Sequence, residues 1–192
     1  MKKIFFAIVL SIIFAIVLIS CKSNENSNTS NKTPSVNSNN DTPTITEETS
    51  VKNTKCRLYF FNTSELKHYY IDKTLPIENG ALITALTKEL QSTSYDKDFL
   101  SLTDKIEVKS AKLDETTSVL KIVFSDSYVD HMNLGSSTES GLLTSLIATY
   151  GYNLGVDKIA IYFNDELYTC LKGDLPNGYF TVEYPPAEPY NP

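Results

Sequence analysis

The hydrophobic and polar residues of this chain alternate in ways that predict short strands and helices. Residues 57–61 and 68–71 are short stretches rich in aromatic residues, which is typical of β-strands. Alanines and leucines at spacings of three and four then predict a first helix from about residue 76 to residue 91. Pro76 suits the first turn of such a helix, although Asn79 is an alternative N-cap that would start it at Gly80.

Two further stretches, in which apolar and polar residues alternate, predict a β-hairpin. In the first, Ile106 and Val108 are separated by Glu107, and in the second the apolar face is formed by positions 120, 122 and 124. Polar residues 114–117 lie between the two strands, so each strand presents one apolar face. The same alternation returns after residue 158 and predicts another strand.

A second helix is predicted to begin at Ser136. Ser136 and Glu139 have the S-x-x-E spacing of a capping box. An apolar stripe follows from position 142 to position 150, and Gly151 is the expected C-terminal cap. The order strand, helix, hairpin, helix, strand predicts a single α+β domain, a mixed β-sheet with two helices packed on one face.

The composition divides the chain into four segments. We expect a signal peptide at residues 1–20, a lipidated cysteine with a tether at 21–54, the α+β domain at 55–185 and a Pro-rich tail at 186–192. Of the 33 residues 22–54, 21 are Ser, Thr or Asn. Such a stretch buries too little apolar surface to offset its chain entropy, so the tether is predicted to be disordered, with a span of roughly 30 Å.

The first residues have the features of a bacterial lipoprotein signal. Lys2 and Lys3 precede an apolar stretch at 4–19, which is shorter than the roughly 20 residues that span a bilayer. It ends in Leu-Ile-Ser-Cys, which resembles a lipobox, and Cys21 is then the residue that receives a diacylglycerol. Acyl chains on Cys21 would insert into the membrane, which is then a binding partner, and would anchor the protein on the extracytoplasmic face of the cell membrane. The alternative is a plain transmembrane anchor with a cysteine there by chance.

The charge and composition exclude several classes of protein. The chain has 17 basic and 23 acidic residues, which gives a net charge of −6. A nucleic-acid-binding protein needs a basic surface, so we expect no nucleic acid as a partner. Three Cys, two His and no Trp leave little material for a zinc site, a haem or an iron–sulfur cluster, and we expect no metal and no cofactor.

Four stretches resemble the GerMN domain of sporulation and spore-germination lipoproteins of Gram-positive bacteria. They are the opening strand at 58–60, the first helix at 81–86, the strand at 120–125 and the segment at 155–163. Their order and spacing carry the resemblance, which extends along most of residues 56–175. The resemblance implies a non-catalytic domain that acts by protein–protein contact in sporulation, germination or cell-envelope assembly.

Two cysteines remain after the signal is removed. Cys56 opens the first strand, and Cys170 follows a late hairpin that is predicted to turn at Asn164 and Asp165. An exported protein can join such a pair of cysteines in a disulfide. The bond would close a loop of 115 residues and stabilise the fold by about 4–5 kcal/mol if chain entropy alone decides. The alternative is two separate buried thiols that behave as small apolar residues.

A catalytic interpretation has weaker support. Asp126, Asp130 and His131 lie close in sequence to Ser136 and Ser137, so a cell-wall hydrolase of the serine type is one alternative. The stretch lacks the second glycine of a G-x-S-x-G nucleophile elbow, and the predicted helix cap already explains the serines. Pairs of carboxylates would also permit a glycosidase. We expect no enzyme activity.

Tyrosine is abundant, with 12 in the chain. Several lie on or beside predicted strands, where they would form a surface that binds a protein or a glycan if they share an exposed sheet face. The alternative is that they fill half-buried strand positions, which tyrosine favours. Peptidoglycan fragments are the alternative ligand for such a surface. The tyrosines concerned are Tyr59, Tyr69, Tyr70, Tyr162 and Tyr168.

Overall fold

The computed structural model describes residues 50–125, 132, 134–169 and 175–191, all within one compact unit. The α+β class predicted from the sequence is confirmed, since strands and helices both contribute to the core. The elements are β1 (Val51–Asn62), β2 (Lys67–Glu78), α1 (Leu82–Leu90), β3 (Val108–Asp114), β4 (Val119–Phe124), α2 (Ser136–Leu154), β5 (Lys158–Phe163), β6 (Glu166–Leu167), β7 (Phe180–Thr181) and β8 (Ala187–Pro189).

The strands form two sheets instead of one. Sheet A has the order β1-β2-β8, with β1 antiparallel to β2 and β8 parallel to β2. Sheet B has the order β3-β4-β5-β6, and β7 also pairs with β5. Strands β4 and β5 of sheet B run parallel, and α2 lies between them in the chain. A helical crossover is the usual way to connect parallel neighbours.

The core lies where the inner faces of both sheets meet the two helices. Leu58 and Phe60 lie on one face of β1, and they belong to the same buried cluster as Ile122 and Ile161 of sheet B. The helices contribute residues that are equally inaccessible, such as Leu86. Burial of each of these side chains stabilises the fold by about 1.5–3 kcal/mol.

Helix α2 covers the outer edge of β1 and satisfies its backbone with side chains. The Tyr59 N–H donates to Thr149 Oγ1 at 2.9 Å. Asn153 makes two bonds to one residue: its Oδ1 accepts the Arg57 N–H at 2.9 Å, and its Nδ2 donates to Arg57 O at 2.6 Å. The helix comes this close because residue 141 is glycine, where an added Cβ would lie 2.5 Å from the Phe61 ring.

The ends of α2 differ from the prediction. Gly135 is the N-cap and makes no side-chain cap, so the predicted capping box at Ser136 and Glu139 is wrong. Glu139 is instead buried, and the Tyr168 hydroxyl donates a hydrogen bond to it. The helix also continues past Gly151, where a Cβ would lie 2.4 Å from Val182, and it ends at Gly155 in the left-handed region with φ +65°.

The first helix starts later than predicted, because β2 continues through Pro76 to Glu78. Pairing with β1 extends along the whole of β2, and Pro76 lies opposite Asn53. Beyond Tyr70 the other side of β2 has no strand partner among the described residues, and an open edge is where a sheet tolerates proline. The chain then turns at Asn79 and Gly80, both with positive φ, and α1 begins at Leu82.

The ordered domain is also longer at both ends than predicted. Strand β1 begins at Val51, inside the segment expected to be a tether. The predicted Pro-rich tail contains β8, which pairs with residues 68–70 of β2. Tyr190 follows β8 and packs edge-on against Phe99, with the ring centroids 4.8 Å apart. A short strand at the sheet margin accommodates prolines that would interrupt a central strand.

Replacing Thr149 with valine tests the cover over β1, because it keeps the side-chain shape and removes the oxygen that accepts the Tyr59 N–H. We expect the unfolding free energy of the T149V chain to fall by about 1–3 kcal/mol in urea denaturation. Thr144→Val is the matched control on the same helix, since the Thr144 hydroxyl donates to Ser140 O one turn earlier. The Thr144→Val substitution should lower the unfolding free energy by less than about 0.5 kcal/mol. Equal losses in the two variants would contradict this role of Thr149.

Replacing Tyr190 with alanine tests whether the C-terminal segment belongs to the fold. The variant loses the ring packing on Phe99 and the hydrogen bond that the Tyr190 hydroxyl donates to Asp96 Oδ2 at 2.8 Å. We expect a loss of about 2 kcal/mol of unfolding free energy. Deletion of residues 191–192 is the control and should leave stability unchanged. A Y190A chain as stable as the parent would mean that the segment is a tail after all.

Candidate functional site

The outer face of sheet B, away from the core, carries a row of directly paired residues. Lys112 of β3 lies opposite Lys121 of β4, and Lys121 lies opposite Ala160 of β5. The next row along the strands pairs Val123 with Tyr162. This face is therefore mixed, with cations at the β3 side and small or aromatic groups toward β5.

The two facing lysines are the unusual feature of this surface. Like charges directly opposite one another on neighbouring strands destabilise a sheet. Neither Lys112 nor Lys121 forms an ion pair within the part of the chain that the structure describes. The Lys121 Nζ lies 4.1 Å from the centroid of the Tyr162 ring, an arrangement in which the ring face attracts the cation.

A groove of about 810 Å³ lies over this face. We call it the lysine groove. Lys158 stands beside it, with Nζ 3.3 Å from Thr117 O and 5.3 Å from the centroid of the Tyr179 ring. The volume is within the range of sites that hold a small ligand or part of a peptide. The groove is lined by Lys112, Leu113, Asp114, Glu115, Thr117, Val119, Lys121, Ala160, Tyr162, Asn177, Gly178 and Tyr179.

The lysine groove borders the open edge of β3. β3 pairs with β4 on one side and has no strand on its other side among the described residues. All of its residues after Val108 are exposed, including Leu113 at 44%. Leu113 nevertheless lies opposite the buried Leu120, so it belongs to the inward-facing side of the sheet. Unpaired strand edges of this kind are templates for another strand.

The turn at the end of the β3–β4 hairpin is held by Asp114. One of its carboxylate oxygens accepts the N–H groups of Thr116 and Thr117, at 2.8 and 3.1 Å. These bonds are the main cause that lowers the pKa of the Asp114 carboxyl. The charge of Lys112 contributes further to the lowered pKa, so Asp114 balances part of the positive charge at the turn end of the groove.

The structure distributes the five tyrosines of the predicted binding surface over separate places. Tyr59 and Tyr70 pair across sheet A, and their rings are 6.3 Å apart. Tyr69 precedes Tyr70 on β2, so its side chain lies on the opposite face of sheet A, where it packs on Phe99. Tyr162 lines the lysine groove and Tyr168 contacts Glu139. The five residues do not form one continuous surface.

Two tyrosines that the sequence analysis missed complete a cluster around Arg57. Its guanidinium lies 3.9 Å from the centroid of the Tyr70 ring and 4.9 Å from that of Tyr152. Tyr184 stacks on Tyr59 at 6.3 Å between centroids. Sequence periodicity could not find these contacts, because Tyr152 is on α2 and Tyr184 is in the C-terminal segment. Exposed Tyr152 and Tyr184 form its outer surface.

Arg57 is fully engaged within this cluster. It makes a bidentate pair with Asp72, with both nitrogen–oxygen distances at 2.7 Å. This hydrogen bonding is the largest influence on the Asp72 carboxyl and lowers its pKa. A guanidinium that already has a carboxylate and two rings as partners has little left for a ligand. The cluster therefore stabilises sheet A, and the lysine groove is the better candidate for binding.

The cysteine predictions fall mainly on residues outside those that the structure describes. Cys21 and Cys170 both lie there, so lipidation and the Cys56–Cys170 disulfide stay predictions. Cys56 is buried in β1, where its thiol donates to Thr54 O at 3.5 Å. Burial, followed by the charge of Glu89, raises the pKa of this thiol and makes it less reactive. No helix in the described ranges is long and apolar enough to cross a membrane.

The hydrolase candidates cannot be placed together. Asp126, Asp130 and His131 lie outside the described residues, and the exposed Ser136 and Ser137 form the first turn of α2. Within residues 50–125, 132, 134–169 and 175–191, no three His, Cys, Asp or Glu side chains are grouped as a metal site would require.

Comparison with known proteins finds likeness in solved structures only. No protein family profile matches the chain, and no curated protein matches it. It is similar to the tandem GerMN domains of the sporulation protein GerM from Bacillus subtilis, with 15% identity and a TM-score of 0.46 over 70% of this chain and 46% of that chain. The chain therefore spans about half of that tandem structure.

Two further structures are similar. The first GerMN domain of the same Bacillus subtilis protein has 16% identity and a TM-score of 0.45, covering 69% of this chain and 96% of that one. A predicted lipoprotein from Clostridium perfringens has 16% identity and a TM-score of 0.38, covering 62% and 80%. Both Bacillus subtilis structures contain GerMN domains, the family that four stretches of this sequence resemble. The likeness to these proteins concerns the fold alone and assigns no activity, ligand or partner to this chain.

His68 provides a pH test of the packing between sheet A and α2. Its Nε2 donates to Gly141 O at 3.1 Å, and burial is the larger influence and lowers the pKa of the ring. The unfolded chain therefore takes up a proton first as the pH falls. Stability should be fully present above about pH 6.5 and be lost as the pH falls through the unfolded and then the folded pKa.

We expect the urea midpoint of the parent chain to fall between pH 7.5 and pH 5.5, and that of a His68→Gln variant to fall by less. The window lies above the range in which Asp72 and Asp114 titrate, since both have a lowered pKa. An identical fall in the two proteins would show that another group controls this pH dependence.

Proposed function

We propose that this chain is a lipid-anchored extracytoplasmic protein that acts by contact with a partner protein, and that the partner docks along the open edge of β3. The observation that carries the proposal is the contrast between two strand edges. The edge of β1 is covered by α2, which satisfies its backbone through Thr149 and Asn153. The outer edge of β3 has no strand partner among the described residues, and every residue of β3 after Val108 is exposed.

A strand edge binds through main-chain hydrogen bonds, and neighbouring pockets supply specificity. β3 offers the first and the lysine groove offers the second. The groove lies directly beside the open edge, so one extended segment would reach both.

The proposal includes anchoring through Cys21 and a role in sporulation, germination or cell-envelope assembly, which is what the sequence resemblance implies. Removal of residues 1–20 leaves 15 basic and 23 acidic residues, a net charge of −8. An acidic protein is repelled by an anionic lipid surface. Acyl chains on Cys21 would hold the protein there despite that repulsion, and the tether would give the domain reach.

Site-specific photo-crosslinking in the native host tests the docking. A photoreactive residue replaces Ser110, which is exposed on β3, and in a second strain it replaces Lys97, which is exposed in the loop after α1. We expect position 110 to yield an adduct with one defined protein and position 97 to yield none. Absence of an adduct at position 110, or equal adducts at both positions, would count against docking at β3.

Membrane fractionation tests the anchor separately. Cys21→Ala removes the thiol that the lipid requires, and we expect the variant chain to leave the membrane fraction. Cys56→Ala is the matched control and should stay with the membrane. A C21A chain that remains membrane-bound would refute the lipid anchor without affecting the docking result.

A further inference from the structure

We propose that the segment that docks on β3 is an extended stretch of alternating acidic and apolar residues. This inference rests on the proposed function and names the chemistry of the partner. In a strand added beside β3, successive side chains would point alternately to the outer and the inner face of sheet B. The outer and inner faces of β3 carry different side chains. The outer face therefore favours the acidic residues of the docking segment, and the inner face favours its apolar residues.

The outer face selects acids. Lys112 and Lys121 face each other without an ion pair in the described part of the chain, and Lys158 stands beside the same groove. Residues 55–192 as a whole carry 12 basic and 19 acidic residues, and the two acids of the groove lining, Asp114 and Glu115, lie at its turn end, away from the centre of β3. Carboxylates that reach over β3 would remove the repulsion between the two lysines, since opposite charges on neighbouring strands attract.

The inner face selects apolar residues. Leu113 and Ala111 lie on the side of β3 that faces the core, opposite Leu120 and Ile122 of β4. Those β4 residues are buried, whereas Leu113 is 44% exposed because β3 is the last strand. An added strand with an apolar side chain on this face would extend the core outward and cover Leu113.

The charges on β3 disfavour the other occupants of this edge. Pairing of β3 with β3 of a second copy would bring Lys109 and Lys112 of one chain beside those of the other, and lysines on edge strands oppose such self-association. An anionic glycan could neutralise Lys112 and Lys121 but would leave the backbone groups of β3 without strand partners. A peptide strand satisfies both the backbone and the lysines.

Peptide binding to the full chain, purified in detergent, tests this chemistry. The probe is a fluorescein-labelled nonapeptide of alternating glutamate and valine, and its affinity is measured by fluorescence anisotropy. The comparison peptides have the same composition in two blocks, or lysine in place of glutamate. We expect the alternating acidic peptide to bind at least about tenfold more tightly than either one, and hydrogen exchange of the β3 amides to slow when it is bound.

Charge-reversed variants test the lysines. Lys112→Glu together with Lys121→Glu should weaken binding of the alternating peptide by about tenfold or more, and raising the salt concentration should weaken binding to the parent chain. The matched control is Lys97→Glu with Lys105→Glu, two exposed loop lysines whose reversal changes the net charge equally. Its affinity should stay within about twofold of the parent.

Three results with added ligands would overturn the inference, as would self-association of the chain. They are equal affinity for the alternating and block peptides, unchanged affinity in the K112E/K121E variant, and equally tight binding of dextran sulfate through the same lysines, which would indicate a general polyanion site. Self-association of the chain that protects β3 would point instead to a second copy. If the crosslink at position 110 persists in cells while the peptide results fail, the proposed function stands and only the partner's chemistry is wrong.

Discussion

Beneath α2, the edge of β1 has partly or fully buried backbone groups without a strand partner, and side chains of the helix form hydrogen bonds to them. Thr149 accepts one N–H, and Asn153 bonds both the N–H and the carbonyl of Arg57. A buried unpaired backbone group costs as much as a lost hydrogen bond, so the helix can lie here only with such residues at these positions. Gly141 then lets the helix approach Phe61 closely enough for the bonds to form.

This arrangement makes the two sheets unequal. Sheet A is enclosed on the β1 side by α2, and β8 adds to the first part of β2 on the other side. Sheet B is covered on its inner face by the core, but β3 remains exposed at its margin. The same strand carries Lys109 and Lys112, charges that keep an open edge from pairing indiscriminately. Lysines on an open strand edge repel the same edge of a second copy and attract an acidic partner.

The predictions that succeeded rest on local rules. The alternation in residues 106–124 predicted the β3–β4 hairpin, and the apolar stripe after residue 141 predicted most of α2. The short turn between positions 114 and 119 could also have revealed that Lys112 faces Lys121, since a tight turn sets the register of a hairpin. The failures arose where a partner distant in sequence overrode the local preference. Pro76 is in a strand because β1 pairs with all of β2, and Glu139 is buried against Tyr168 instead of capping its own helix.

The sequence by itself determined the order of the elements and the class of fold, because the spacing of apolar residues within one element needs no knowledge of its neighbours. The prediction of a lipoprotein signal ending at Cys21 also comes from the sequence alone, because it rests on consecutive residues. Only the tertiary structure decided which edges are open and which side chains meet. Tyr152 and Tyr184 reach the Arg57 cluster from a helix and from the C-terminal segment. Helix α2 lies against the edge of β1, whereas the outer edge of β3 has no strand partner among the described residues. Such contacts depend on long-range packing, whose pairings are not encoded in the periodicity of any single stretch.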